Sequence, residues 1–438
     1  MSGQPGTPTP SGGENEGELL DPGAQITRRT ALRYAGGGLA ALGGAGWLVS
    51  APGGASAAAR ARARRVSRPR ASSDPSVPVA SKGNPLTLSI YSDNKPIASH
   101  MRPEKGPLVI FDWSDYLSPA VIKSFEKRYG VSAQLTVVSS IDEAINKIAS
   151  GVIKPDVWVP QAQRIAGLVE AKLIQPINHS YIPNLDHVVP AAGDPWYDKG
   201  ARYSTPNFIN MFGIQWRNDL IKIHPSSMKN PWNVFWQIPR TTTIGMMNGD
   251  PEDALEMAML HLGAKNFDTI TEHQISDAQA ALAELHNKWQ YTGFQPIATG
   301  VEKISYGYNG DMMQVPHYLT KGTKLSDVSF YFPPSGRGPI LNDMWVIPRT
   351  AEHPVLAHLW MNHFLEKQSA IDNFRDEGYQ TMLEGLTIKD LEDAKAGPKH
   401  AIQMAFATAA MQANGLAAPV FNPHQLAWIE AAFSRLTS

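Results

Sequence analysis

The chain has 438 residues, an apolar content of 42% and a net charge of −1, which suits two or three folded units and gives no reason to expect nucleic acid or an anionic membrane as partner. It has no cysteine, which excludes disulfides, thiolate metal sites, a cysteine nucleophile and a cysteine-linked lipid anchor. The 13 histidines lack metal-ligand spacing, and no common hydrolase, zinc-protease or P-loop signature is present, so we expect no metal and no cofactor.

Residues 1–57 have the layout of an export signal that follows a disordered leader. Arg28 and Arg29 resemble the pair of the twin-arginine motif, and a Gly/Ala-rich apolar run and small residues follow. The run is shorter than the ~20 residues of a membrane-spanning helix. We therefore expect an exported bacterial protein, in the periplasm or on the outer face of the cell membrane. An Arg/Ser/Pro-rich linker over residues 58–84 follows, and its arginines are unusual because positive charge there opposes translocation.

Strand and helix patterns alternate from residue 85 onward. After a peripheral strand at Leu86–Leu88, the patterns predict three strands and two helices in the order β-α-β-α-β, which is typical of a parallel sheet. These strands cover residues 108–111, 133–138 and 156–159, and the helices 119–129 and 142–150.

A second α/β set begins near residue 211. It contains predicted strands at 243–247 and 344–347 and helices at 251–262 and 276–289, and a mostly helical part covers 353–374 and 389–411. We assign residues 85–210 and 344–420 to one lobe and residues 211–343 and 421–438 to a second. In such folds ligands bind at the carboxyl ends of the strands, so the site is expected in a cleft between the lobes.

Residues 111–116 combine aromatic rings and carboxylates at the end of the first strand. Trp113, Asp115 and Tyr116 suit an organic cation, since a carboxylate pairs its charge and an aromatic face attracts it. A buried tryptophan beside a solvated aspartate explains the same residues, so this motif alone leaves both interpretations open.

Other carboxylates stand near predicted strand ends. Asp250 and Asp253 open a helix, where Asp250 is also a good N-cap residue. Asp343 precedes a strand, either as a wall of the cleft or as a turn residue that binds local backbone N–H groups. Tyr308 ends a strand before an Asn-Gly pair that is typical of a turn.

Taken together, these segments resemble the spermidine/putrescine-binding family of extracellular solute-binding proteins, from about residue 108 to 421. The resemblance implies an α/β fold of the two-lobed, type II periplasmic-binding-protein kind with a ligand cleft between the lobes. It also implies a monomer that binds a polyamine and delivers it to the membrane permease of an ABC transporter. The ligand contacts that it suggests are Trp113, Asp115, Tyr116, Gln161, Gln163, Asp250, Asp253, Tyr308, Asp343 and Tyr379.

The chain departs from the family pattern at several of these positions. Gln161 and Gln163 replace a serine and an aromatic residue, Leu341 replaces a tryptophan, and Tyr308 stands in place of another tryptophan. The expected aromatic box is therefore smaller and more polar. Its four carboxylates persist, so a polycation still fits.

Two alternatives remain open from the sequence. The same fold carries ferric iron, thiamine and other small molecules, and Tyr306, Tyr308 and Tyr379 would suit iron. A secreted hydrolase with a catalytic pair of carboxylates is a further class. We expect a binding protein and not an enzyme, because no nucleophile motif is present.

Overall fold

A computed structural model describes residues 81–418 of the chain, except 114–115, 139–140, 240, 247–250, 268–269, 286–288, 292–293 and 336. The expected export signal, most of the linker and the last stretch of the second lobe lie outside these residues. In the described ranges no helix is both long enough and apolar enough to cross a membrane.

The described strands join in one sheet of eleven, in which the path β2-β1-β3-β10-β5-β8-β6-β7 carries β4 and β11 on β10 and β9 on β5. The strands are β1 Leu108–Trp113, β2 Ala133–Val138, β3 Val157–Trp158, β4 Ile174–Gln175, β5 Ser204–Arg217, β6 Ile244–Met246, β7 Trp289–Tyr291, β8 Ile304–Tyr308, β9 Val328–Tyr331, β10 Pro339–Pro348 and β11 Leu416–Ala417.

Helices connect these strands along most of the described chain. They are α1 Pro119–Tyr129, α2 Ile141–Ala149, α3 Ile165–Glu170, α4 Pro190–Gly193, α5 Val234–Gln237, α6 Pro251–His261, α7 Glu272–Ala283, α8 Gln295–Thr299, α9 Pro354–Phe364, α10 Lys367–Glu377, α11 Ile388–Asp393, α12 Lys399–Ala405 and α13 Ala409–Asn414.

Helix α1, which follows β1, shows how the local sequence fixes both ends of a helix. The Ser118 side chain caps its first turn by accepting from the Ala120 N–H, and Pro119 fits the first helical position. Gly130 ends the helix with a φ of 67°, a conformation that glycine adopts without a Cβ penalty. Val121 and Phe125, four residues apart, are the buried face.

Two antiparallel strands, β5 and β10, join two groups of parallel strands. In the first group β1 pairs in parallel with β2 and β3, and in the second β6 pairs in parallel with β7 and β8. β10 runs antiparallel to β3 and β5, and β5 runs antiparallel to β8. The two groups therefore point toward each other along β5.

The carboxyl ends of both groups meet beside a short stretch of β5. Phe208 pairs with Asp343, which is bridged by Gln161 just after β3, and Phe212 pairs with Tyr308 at the end of β8. These two points are four residue steps apart on β5, or about 13 Å along an extended strand. The strand ends of both groups thus face a common region, as ligand sites of α/β sheets require.

Each group of strands has its own buried core. Phe111, Trp158 and Val346 pack on one side of the first group, and residues such as Phe125 and Trp360 pack on the other. The second group is covered by a cluster that includes the buried face of α6. This division is compatible with two lobes, whose sequence boundaries stay a prediction.

The predicted parallel β-α-β-α-β unit is confirmed, and the bounds of α1 and β2 agree with the sequence patterns. The peripheral strand at Leu86–Leu88 is wrong. Leu86 donates one backbone hydrogen bond to Trp196 O and Leu88 has no ladder partner, so apolar alternation there reflects packing without a sheet.

Two further elements differ from the prediction. The helix expected over 276–289 spans Glu272–Ala283, because Thr271 and Gln274 form a capping box at an earlier start, and Trp289 belongs to β7. The strand expected at 344–347 covers Pro339–Pro348, so Asp343 lies inside a strand and is not a turn residue. Asn342 and Asp343 interrupt the apolar pattern, which hid the first half of the strand.

We predict that Gly378→Ala destabilises the protein far more than Gly385→Ala. Both glycines have positive φ, 85° and 75°, which costs alanine about 1 kcal/mol. A Cβ at Gly378 would in addition lie 2.2 Å from Gly310 O, whereas nothing lies within 4 Å of one at Gly385. We expect a loss of about 3 kcal/mol or more at Gly378 in urea unfolding. Equal losses would contradict the close approach.

Candidate functional site

A buried carboxylate with no cationic partner among the described residues lies at the meeting point of the strand ends. Asp343 is 2% exposed, and its Oδ2 accepts a hydrogen bond of 2.7 Å from Asn210 Nδ2. The Tyr116 side chain donates a second hydrogen bond to the same carboxyl. Burial raises the pKa of Asp343 to about 7, although both hydrogen bonds act to lower it.

A second buried acid, Asp112, lies close to Asp343 and was missed by the sequence interpretation. Its Oδ1 accepts from the Trp113 backbone N–H at 2.7 Å, and its Oδ2 has no hydrogen-bond partner among the described residues. Burial raises the pKa of Asp112 well above its usual value, and the negative charges of Asp343 and Glu377 raise it further. The feature of the sequence that could have revealed Asp112 is a carboxylate one residue before the end of an apolar strand.

The charged groups that shift the pKa of Asp112 are both carboxylates. In the described part of the chain, no basic side chain is among the groups that shift the pKa of Asp112 or Asp343. Placing two carboxylates in a low-dielectric region without a cation is costly, so the pair holds protons or attracts a positive ligand.

Aromatic rings form one wall beside the acids. Tyr116 packs at 6.5 Å from Trp113, at 5.1 Å from Tyr379 and at 5.7 Å from Phe208, as measured between ring centroids. The indole N–H of Trp113 donates to Val159 O at 3.2 Å, which fixes the ring beside the end of β3. Trp113 and Tyr116 are both half-buried.

Tyr379 is more deeply placed than a simple ligand contact would be. It is 3% exposed, and its hydroxyl donates to Asp311 Oδ1 at 3.1 Å. Its ring covers Gly310 so closely that a Cβ there would lie 2.4 Å from the ring carbons. The Asn-Gly pair after Tyr308 therefore has a packing role. The ring of Tyr379 also packs against the ring of Tyr116.

The second group of strands contributes Asp253 and Tyr308. Asp253 is in the first turn of α6 and is half-buried. Tyr308 is half-buried at the end of β8, with its ring 4.3 Å from that of Phe212. Asp115 and Asp250, also predicted to hold the ligand, lie outside the described residues.

Three of the four positions that depart from the family pattern lie near Asp343 along the paired strands. Gln161 forms a backbone bridge with Asp343, and Gln163 Nε2 donates to Gln161 Oε1 at 3.3 Å. Both glutamines are half-buried. Leu341 pairs with Asn210 on β10 and packs into the core of the second group. The amides thus add polar groups beside the acid.

Two of the tyrosines that suggested an iron site, Tyr306 and Tyr379, lie in different buried clusters. Among the residues with described side chains, no group of three or more His, Cys, Asp or Glu could hold a metal ion. Tyr306 is buried in the second core, and Tyr379 is engaged with Asp311.

Comparison with known proteins shows the family to which the chain belongs. The family described as "Bacterial extracellular solute-binding protein" matches residues 120–424, about 70% of the chain. The chain belongs to that family. Its members are solute-binding proteins outside the cytoplasm, which confirms the expected location, whereas the twin-arginine route of export stays a prediction.

The chain is also similar in sequence to individual binding proteins. A putrescine/cadaverine-binding protein of Pseudomonas aeruginosa is 23% identical over 273 residues, 60% of this chain and 75% of that protein. The putrescine-binding periplasmic protein PotF of Escherichia coli is 22% identical over 274 residues, 60% and 74% of the two chains.

A solved structure agrees with the fold. The spermidine/putrescine ABC transporter substrate-binding protein PotD from Streptococcus pneumoniae superposes with a TM-score of 0.62 at 18% identity, over 75% of this chain and 98% of that one. The two-lobed periplasmic-binding-protein fold expected from the sequence is therefore confirmed.

We predict that Asp343→Asn stabilises the ligand-free protein in a pH-dependent way. The carboxyl has a pKa near 7 when folded and near 3.9 when unfolded, so its ionisation opposes folding increasingly as pH rises through that window. Urea unfolding of both proteins should show the advantage of the variant growing by up to about 1.4 kcal/mol per pH unit between pH 4 and 7, then levelling. A difference that does not change with pH would contradict the raised pKa.

Proposed function

We propose that this chain is the extracytoplasmic polyamine-binding component of an ABC transporter. It captures a polyamine such as spermidine or putrescine between its two groups of strands and delivers it to a membrane permease. The names of its relatives support the ligand class, since several of them are putrescine- or spermidine/putrescine-binding proteins.

One observation carries the proposal: Asp343 and Asp112 are both buried, the charge of Asp343 acts on Asp112, and no cation among the described residues is seen to pair with either. An ammonium group supplies that charge together with up to three hydrogen-bond donors. Anion-binding sites would instead require arginine or backbone N–H groups at this point.

The aromatic wall suits the rest of a polyamine. Methylene groups between the ammonium groups gain from apolar contact with Trp113, Tyr116 and Tyr308, and each ring adds about 0.5–2 kcal/mol of cation–π attraction to a nearby ammonium. Asp253 would hold an amine at the other end of the ligand, and Asp115 and Asp250, which lie outside the described residues, are proposed as further carboxylate contacts. Gln161, Gln163 and Tyr379 complete the ten proposed ligand residues.

The two lobes, residues 85–210 with 344–420 and residues 211–343 with 421–438, would close over the ligand. β5 and β10 run through the junction, where Phe208–Phe212 lies between the two sets of strand ends. Closure exposes a new surface for a permease to recognise. In this role the protein acts as a monomer and catalyses no reaction.

We predict that Asp343→Asn and Asp253→Asn each weaken polyamine binding by about tenfold or more, which is about 1.4 kcal/mol. The measurement is calorimetric titration of the full chain with putrescine, spermidine and spermine. Asp277→Asn removes one exposed charge from α7 and is the matched control, which should bind like the unaltered chain. Unchanged affinity in both site variants would contradict the proposed site.

We further predict that polyamine binding releases protons near pH 6. Asp343 is mostly protonated there when no ligand is bound, and an ammonium beside it lowers its pKa and expels the proton. Affinity should therefore rise with pH up to about 7. Titrations in two buffers of different ionisation enthalpy measure the release, which Asp343→Asn should reduce. Equal heats in both buffers at pH 6 would contradict ionisation on binding.

A further inference from the structure

A second pair of unsatisfied polar groups lies deeper in the second group of strands. Glu256 is 2% exposed, and its Oε2 has no hydrogen-bond partner among the described residues. Tyr306 is fully buried, and its hydroxyl likewise has no partner in the described part of the chain. Leaving such groups unpaired costs about 1–3 kcal/mol each, so a pair of them calls for an explanation.

The two groups lie next to the site already described. Glu256 is three residues after Asp253 on α6, so both side chains lie on one face of the helix. Tyr306 is two residues before Tyr308 on β8, so their side chains share one face of the sheet. Tyr306 packs in the same buried cluster as Ala254, Leu255 and Met257 of α6, and the charges of Glu256 and Asp253 both raise its pKa.

The surroundings of Tyr306 are apolar and fix its ring. The ring stacks on Phe212 at 5.1 Å with an angle of 11°, and it meets Trp232 at 5.9 Å and Phe235 at 6.4 Å edge to face. Burial raises the pKa of Glu256 well above its usual value, and the negative charge of Glu252 adds to the effect. An apolar wall around an acid and a hydroxyl is a suitable environment for an amine, which pairs both.

We propose that Glu256 and Tyr306 form, with Asp253, the subsite for a terminal ammonium of the ligand, and that Glu256 is a specificity-determining residue for the second amine. This inference rests on the proposed polyamine function. An ammonium has three donors, and the subsite offers it three oxygen-bearing groups. The rest of the ligand would extend past Phe212 and Tyr308 toward Asp343.

The test compares a diamine with a monoamine of the same chain length. The full chain, Glu256→Gln and Tyr306→Phe are titrated with putrescine, spermidine and 1-aminobutane by calorimetry. We expect Glu256→Gln to weaken diamine and triamine binding by about tenfold or more, and Tyr306→Phe by about threefold or more. Binding of 1-aminobutane should change less than about twofold, because its single ammonium binds at Asp343.

Glu302→Gln is the matched control. Glu302 is a fully buried acid of the same half, but it lies against Gly245 and Ser305, on the opposite face of the β6–β8 pair from Tyr306. Its polyamine affinity should stay within about twofold of the unaltered chain. Thermal unfolding checks that each variant is folded, and Tyr306→Phe, which removes one oxygen atom, decides the matter if Glu256→Gln does not fold.

The outcomes separate the two proposals. If the unaltered chain binds a polyamine and both variants bind it equally well, the subsite is wrong and the proposed function stands. If the variants weaken the diamine and 1-aminobutane by the same factor, Glu256 and Tyr306 do not contact the second amine and the inference is overturned. If the unaltered chain binds no polyamine, both proposals fail.

Discussion

The rest of the proposed site depends on a carboxylate, Asp343, that is held inside β10, between the two groups of parallel strands of one sheet. Its burial is enforced by β10, which cannot leave the sheet without breaking its pairing with β5. Asn210 and Tyr116 donate hydrogen bonds to Asp343 but carry no positive charge. The ionised carboxylate therefore keeps a desolvation cost that these bonds do not offset. In the proposed site a cation beside Asp343 would remove that cost, so we expect binding strength and pH sensitivity to have one origin.

The same strand pair sets the geometry of the whole site. Because β5 is long enough to pair with β10 at one end and with β8 at the other, the strand ends of both groups are brought beside Phe208–Phe212. Acids then lie on both sides of an aromatic stretch. The proposed site would therefore suit a ligand with separated positive charges and an apolar middle better than a small inorganic cation, which needs clustered oxygen ligands.

Sequence patterns predicted much of this fold because periodicity and caps act locally. Helix α1 agrees with its pattern at both ends, since Ser118 and Gly130 specify them. Asp343 was placed at a strand start because Asn342 and Asp343 interrupt the apolar run, and only pairing with β5 shows that the strand continues through them. Leu86–Leu88 alternates like a strand but has no partner in a ladder.

The site was less predictable, because its parts come together through tertiary contacts. Asp112 and Glu256 look in sequence like ordinary polar residues within a strand and a helix, and their lack of partners is a property of the packed structure. Conversely, Tyr379 matched the expected ligand contacts by its sequence context, whereas its burial against Gly310 depends on a turn about 70 residues earlier in the chain.

A crystal structure of the full chain grown with spermidine tests the central claim most directly. The account predicts an ammonium nitrogen at hydrogen-bond distance, about 2.7–3.2 Å, from the carboxylate of Asp343, with the methylenes along Tyr116 and Trp113. Spermidine bound elsewhere, with Asp343 keeping only Asn210 and Tyr116 as partners, would contradict it.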